Sequence, residues 1–254
     1  HGRRSKLLPG MTTETENRYL PPTPLACSEV QATPFGTRQD PWHWLRDESR
    51  SDAQVRAHLC AEARTTARWF EPLSGELLCL EAEHAALVPD EDSDLPVLLR
   101  GYWYETRYEK GAEHPLYVRR KVDGQQEEIL FDAAAAAVHC PAYSLGTVEV
   151  SDDGELLAVT EDRTGSREYR LRLIKRTTGC ELPDLVTGID PDVVFLADGS
   201  VLYVAQDPVT LLGNRVMRHV PGSNADSDAL IYLEEDDKYT ISLERSRSGR
   251  FVFI

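Results

Sequence analysis

The stretch Val148–Val159, VEVSDDGELLAV, constrains this chain more than any other: an apolar-alternating strand, a polar turn closed by Asp153-Gly154, and a second, apolar strand. Alternation at period two, interrupted by Asp-Gly, is the local signature of a β-hairpin. The pattern recurs as Val193–Val204 and Leu243–Ile254, with a weaker copy at Val97–Tyr104. The marker glycines Gly101, Gly154, Gly199 and Gly249 stand 53, 45 and 50 residues apart. A second strand pair follows each of the first three hairpins: His114–Val118 with Glu128–Phe131, Tyr169–Ile174 with Leu182–Val186, and Arg215–Val220 with Leu230–Leu233. Units of four strands repeating every ~40 to 50 residues predict propeller blades. The expected fold is mainly β, an incomplete β-propeller over residues 95–254. Its four-stranded blades lie near 95–132, 146–187 and 191–235, and half a blade at 240–254.

What precedes the repeats is different in kind. Residues 1–20 are expected to be a disordered leader, and residues 21–94 an arm with two helices. The Pro-, Thr- and Glu-rich segment up to Thr37, including Pro21-Pro22-Thr23-Pro24, reads as an extended arm without a core. Asp40–Asp47, DPWHWLRD, is a dense aromatic and charged knot suited to packing or to docking. Ser51 or Asp52 can cap a helix running to Phe70, with Val55, Leu59, Ala63 and Ala67 on one stripe. A second helix is expected over Pro72–Leu87, with Pro72 near its first turn. Two such helices cannot bury both faces by themselves, so they must lean on the strands or on something outside this chain. Pro89–Asp94 reads as a linker, and Ala133–Val138 as a short helical connector between the first two blades.

The charge balance, 43 acidic against 28 basic residues for a net −15, argues against nucleic acid or an anionic membrane as a partner, since both are held by clustered Lys and Arg. It suits cationic ligands. Five scattered cysteines without a Cys-x-x-Cys pair suggest reduced thiols and a cytoplasmic location. No apolar run approaches the ~18 residues of a membrane span, and no secretory h-region is visible.

No complete catalytic apparatus is legible. Serine hydrolysis needs a serine on a strained turn, a histidine and an orienting carboxylate, yet no Gly-x-Ser-x-Gly occurs and none of the seven histidines forms a motif with a nucleophile. His139-Cys140 is an isolated pair of soft ligands, read as a buried thiol beside a hydrogen-bonded histidine. Asn224-x-Asp226-x-Asp228 mimics a calcium loop but has Ala229 where glycine is required, so it reads as a solvated blade loop. The run Glu234–Asp237 reads as a solvated turn. No metal and no cofactor is expected.

Several segments carry a resemblance when taken together: Asp40–Asp47 with its Trp-Leu-Arg-Asp ending, Gly101–Tyr104 leading to Leu116–Arg120, Asp207–Leu212 through Arg218-His219, and Leu230–Leu243 around Glu235–Tyr239. From about Pro21 to its last residue the chain resembles the prolyl oligopeptidase family of serine peptidases, and within it the oligopeptidase B branch. The resemblance implies a seven-bladed propeller over an α/β-hydrolase domain, with the arm and helices packed on the hydrolase. It implies cleavage of short peptides after Lys or Arg, with the propeller restricting entry. The family's triad, oxyanion groups and acidic pocket belong to a later part of the chain, so no catalytic residue maps here. One feature does map: a propeller arginine that pairs across the domain interface and helps control opening corresponds to Arg167. The acidic position that often accompanies it, two residues after the counterpart of His139, is Pro141.

The sequence therefore reads as the amino-terminal propeller part of an oligopeptidase B-like peptidase. Its expected partners are short basic peptides and a C-terminal α/β-hydrolase domain. It is expected to be inactive alone, and to be marginally stable or to self-associate through open strand edges. The alternative is a free-standing propeller-like binding module.

Overall fold

The computed structural model describes residues 20–89 and 91–254, and it divides into two compact units at Val88/Pro89. Most of the leader expected at 1–20 thus lies outside the described residues.

The first unit departs from an extended arm. Strands β1 (Glu29–Thr33) and β2 (Gly36–Asp40) pair antiparallel in a hairpin, with Thr33 opposite Gly36. The chain reverses at Pro34-Phe35, where Thr33 Oγ1 donates to the Gly36 carbonyl at 2.8 Å. The aromatic knot then fastens this hairpin. Trp44 Nε1 donates to the Leu25 carbonyl at 2.7 Å, and His43 meets Gln31 at 2.6 Å and Glu29 at 3.2 Å. Helix α1 (Ala53–Phe70) starts where the side chain of Asp52 accepts from the N–H groups of Gln54 and Val55. Its inward stripe is rotated from the expected one. Val55 is buried, but Leu59 is 58% exposed, and the half-buried positions are His58, Ala61, Glu62 and Thr65. The Trp44 ring, edge-on to His58 at 6.0 Å, selects that face. Helix α2 (Ser74–Leu87) follows a 3-10 turn at Glu71–Leu73 and buries no residue. Leu78 and Leu80 stand 66% and 50% exposed, so the apolar face of α2 has no cover among the described residues.

The second unit is built from the repeats. In the first blade, β4 (Val97–Leu99), β5 (Tyr102–Tyr108), β6 (Leu116–Lys121) and β7 (Glu127–Asp132) pair in order, and the short β3 (Asp92–Ser93) extends β4's side of β5. The linker expected at 89–94 thus already carries strand. Asp132 caps helix α3 (Ala133–Ala137) by accepting from Ala135 N–H at 2.8 Å. The second blade holds β8 (Ser144–Val150), β9 (Leu156–Asp162), β10 (Tyr169–Lys175) and a broken outer strand. That outer strand is β11 (Cys180–Glu181) followed by the start of β12 (Val186–Phe195). After a register shift between Ile189 and Val193, β12 becomes the inner strand of the third blade, with β13 (Val201–Gln206), β14 (Gly213–His219) and β15 (Ala229–Leu233). Two blades therefore form one continuous eight-stranded sheet. The hairpin of β16 (Glu244–Arg245) and β17 (Val252–Phe253) begins a fourth.

The repeated turn is the same object three times. Gly154, Gly199 and Gly249 have φ of +76°, +82° and +69°, a region that β-carbon sterics deny to most residues. Each donates its N–H to the carbonyl three residues back, on Ser151, Leu196 and Ser246. The weaker copy is a tighter loop. Arg100 and Gly101 both have positive φ, +49° and +80°, and Leu99 pairs directly with Tyr102, the two-residue turn whose twist matches the strands.

The cores show why this is a propeller and not a sandwich or barrel. Each lies between successive blades. Phe131 and Ala133 of the first meet Val150, Leu157 and Val159 of the second. Ala158, Leu171, Leu173 and Ile189 of the second meet Phe195, Val201 and Tyr203 of the third. Val194, Leu202, Val204 and Val216 of the third meet Leu243. At about 1.5–3 kcal/mol for each large aliphatic side chain removed from water, these shared cores drive the radial stacking.

Candidate functional site

The Arg167 loop joins β9 to β10, and it is organised by a buried carboxylate. Asp162 closes β9 with its side chain turned back under the loop. Oδ1 accepts from Thr164 N–H and Gly165 N–H at 2.9 and 3.0 Å, and Oδ2 from Arg167 N–H at 2.7 Å. Burial pushes the Asp162 carboxyl up, but these donors and the Thr164 hydroxyl outweigh it and hold it below the usual carboxylate range. Arg167 is held at φ +65°, uncommon for a residue with a β-carbon. Its carbonyl accepts from Gln206 Nε2 at 3.1 Å, and the same nitrogen donates to Asp190 at 2.8 Å. The loop's backbone is thus fixed from two blades. The Arg167 side chain is exposed, and its guanidinium has no hydrogen bond or ion pair among the described residues.

Pro141, the position that is acidic in the resemblance, is also exposed, in the connector between α3 and β8. It lies on the same side as the loop, since Ala142 Cβ is within 3.2 Å of where a Cβ on Gly165 would stand. Pro141 itself carries no carboxylate.

Behind the loop sits an ion cluster that sequence reasoning missed. Glu161 is fully buried and accepts from Arg170 Nε at 2.9 Å and Tyr143 OH at 3.0 Å, with Arg172 and Arg163 at 3.5 and 3.7 Å. Burial alone would raise its pKa, yet the arginines keep it lowered, while burial, with this carboxylate beside it, drives Tyr143 well above the usual phenol range. A second cluster was also missed. His219, fully buried, lies 3.0 Å from Asp184 and 2.8 Å from Asp228, and Tyr203 donates to Asp228 at 2.9 Å. Each ring nitrogen of His219 thus faces a carboxylate. Asp228, read as part of a solvated loop, is therefore an internal partner. The usable signal in both cases was a charged residue continuing a strand whose neighbours are buried.

The remaining candidates fall apart as sites. Cys140 Sγ contacts the Ala136 carbonyl at 3.6 Å, and Asn224 caps a 3-10 turn at Ala225–Ser227. Among the described residues no group of three or more His, Cys, Asp or Glu side chains is placed to hold a metal, and no helix is long and apolar enough to cross a membrane.

Blades stacked on shared cores, with one fixed loop offering a free arginine, define the second unit as a β-propeller segment. A sequence profile described as the prolyl oligopeptidase N-terminal β-propeller domain matches residues 21–254. The chain belongs to the prolyl oligopeptidase family, as its amino-terminal propeller part. It is 36% identical over 252 residues to dipeptidyl aminopeptidase BI of Pseudoxanthomonas mexicana, covering 92% of this chain and 35% of that protein. It is 26% identical over 225 residues to Protease 2 of Moraxella lacunata, covering 85% and 32%. Oligopeptidase B from Leishmania major has the same fold, with a TM-score of 0.83 at 23% identity over 92% of this chain and 35% of that one. The chain spans about a third of the length of the curated relatives it matches.

Proposed function

We propose that this propeller segment gates a serine peptidase that cleaves short peptides after Lys or Arg, with the catalytic triad in an α/β-hydrolase domain outside these residues. The observation that carries the gating reading is the Arg167 loop. Its backbone is fixed by Asp162 and Gln206, while its guanidinium is left free to pair with a carboxylate elsewhere. With Pro141 unable to supply that carboxylate, the partner acid belongs to the hydrolase side of the whole protein. The net −15 charge supports basic peptides as the substrate class, and five unpaired thiols support a cytoplasmic setting.

A second reading has its own support. The relative that is 36% identical is named a dipeptidyl aminopeptidase, so release of dipeptides from amino termini competes with internal cleavage after basic residues. A free-standing binding module is the third reading.

The test uses the protein encoded by the whole reading frame, with and without Arg167→Ala. Cleavage of an internally placed arginine in a short peptide, with exclusion of folded proteins relaxed in the variant, supports the proposal. Cleavage confined to amino-terminal dipeptides, or no triad in the frame, overturns it. The chain of 254 residues alone is expected to show no peptidase activity.

A further inference from the structure

One face of the first blade gathers positive charge in a chain whose net charge is −15. Residues directly opposite each other in a ladder share a face of the sheet. Tyr102 stands opposite Lys121 and Tyr104 opposite Arg119 across β5 and β6, and Arg119 stands opposite Glu128 across β6 and β7, so these five side chains lie together. At the end of that face, beside the Gly124 turn, a cavity of about 470 Å³ is lined by Tyr102, Arg119, Lys121 and Gln126, with Glu127 and Glu128 at its side.

Both carboxylates are already matched. Glu127 is held by the two arms of Arg107, at 3.0 and 2.7 Å. Glu128 accepts from Arg119 Nε at 2.8 Å and pairs with Arg176 of the second blade. Burial would raise the Glu128 carboxyl, but these two guanidinium groups outweigh it and hold it below the usual carboxylate range.

The cations keep donors to spare. Arg119 is 3% exposed, and Glu128, the Tyr104 hydroxyl at 3.2 Å and the Tyr102 ring 4.2 Å from its Cζ fix it in place. Its Nη2 makes no hydrogen bond among the described residues, and the Lys121 ammonium, the Tyr102 hydroxyl and the Gln126 amide have no partner there either. A guanidinium pre-set by burial, with an ammonium, a phenol and an amide around one cavity, offers four donors and two cations beyond what the single charge of Glu128 and its Arg176 partner balance. A tetrahedral oxyanion accepts from several donors at once, and its hydrogen bonds to guanidinium and ammonium groups are the strong ones. We infer that the cavity beside the β6–β7 turn binds a phosphate group, as the free ion or on a small organic ester.

The experiment titrates the full chain, with its arginine side chains isotope-labelled, with inorganic phosphate and with glycerol 2-phosphate, against chloride at matched ionic strength. The Nε–H of Arg119, which donates to Glu128 inside the blade, reports on the cavity. The expected result is saturable movement of that signal by phosphate or by its ester, the tighter of the two telling the free ion from the organic source, with no such movement by chloride. Lys121→Gln, which removes no side-chain contact among the described residues, should weaken binding about tenfold, as loss of one charge-assisted hydrogen bond implies. Tyr102→Phe, which keeps the ring under Arg119 and removes only the hydroxyl, should weaken it several-fold and serves as the second variant. Equal movement by chloride, undiminished binding in Lys121→Gln, or no movement at tens of millimolar phosphate overturns the inference. No peptidase activity is read, so this site stands or falls apart from the proposed function.

Discussion

Arg245 grips Asp152 with both arms of its guanidinium, Nη1 to Oδ1 at 2.7 Å and Nη2 to Oδ2 at 2.6 Å, across 93 residues of sequence. This contact ties the start of the fourth blade back to the first turn of the second blade. Arg100 of the first blade reaches the same carboxylate, so Asp152 gathers three blades at one point. Hydrogen bonding from Arg245 holds the Asp152 carboxyl below the usual range despite partial burial.

The two-armed geometry makes a specific energetic claim. Asp152→Asn keeps the shape but removes the charge, and should lower unfolding stability by about 1 to 2 kcal/mol, the range for hydrogen bonds to charged groups near a surface. The effect should shrink when Arg245 is already alanine, leaving the part that the Arg100 pair contributes. A double-mutant cycle in urea unfolding reads this coupling, and additive losses would show that the contact contributes nothing.

Glu149, three residues earlier in β8, should titrate in the opposite sense. Burial raises its carboxyl to about 7 from an ordinary 4.5, with the Phe195 N–H and Arg245 only partly offsetting it. Between those values the folded chain holds a proton that the unfolded chain has released, so stability falls as pH rises through the window. Asp152 acts oppositely, since its lowered carboxyl contributes stability that is lost as pH falls into the acid range. The expected outcome is a stability maximum on the acid side of neutrality that shifts upward in Glu149→Gln, whose amide oxygen still accepts from Phe195. Unfolding midpoints from pH 4.5 to 8 check it, and an unchanged profile in the variant would refute it.

How far these features were legible depends on whether their cause was local. The turn glycines are local: positive φ at 154, 199 and 249 follows from residue type, and the strands around them followed in turn. The hairpin β1–β2 was hidden because its cue, Pro34-Phe35-Gly36, sits in a proline-rich stretch that reads as extended chain. The rotated face of α1 was hidden for a different reason. Val55, Leu59, Ala63 and Ala67 satisfy helical spacing equally well, and only the Trp44 ring against His58 decides between faces. The continuous β12 escaped because Gly188 and Pro191 look like breaks, whereas the chain uses that irregular stretch to pass from one blade to the next without leaving the sheet. The loop carrying Arg167 was located only through resemblance. Its support by Asp162 and Gln206 is tertiary and leaves no spacing to read.

The third blade's outer strand carries the last prediction. In β15, Leu230, Ile231, Tyr232 and Leu233 are 54%, 47%, 41% and 44% exposed, so both faces of an edge strand present apolar side chains to water. One edge of β15 pairs with β14, and the other has no ladder partner among the described residues. An edge with free backbone groups and apolar flanks recruits another strand, since pairing satisfies the backbone and buries the side chains together. The 254-residue chain should therefore self-associate with rising concentration in sedimentation experiments. Ile231→Lys, which places a charge on that edge and removes no contact of the shared cores, should shift the distribution to monomer. If the parent chain sediments as a monomer at all concentrations, or if the lysine variant associates as strongly, β15 is not the adhesive edge.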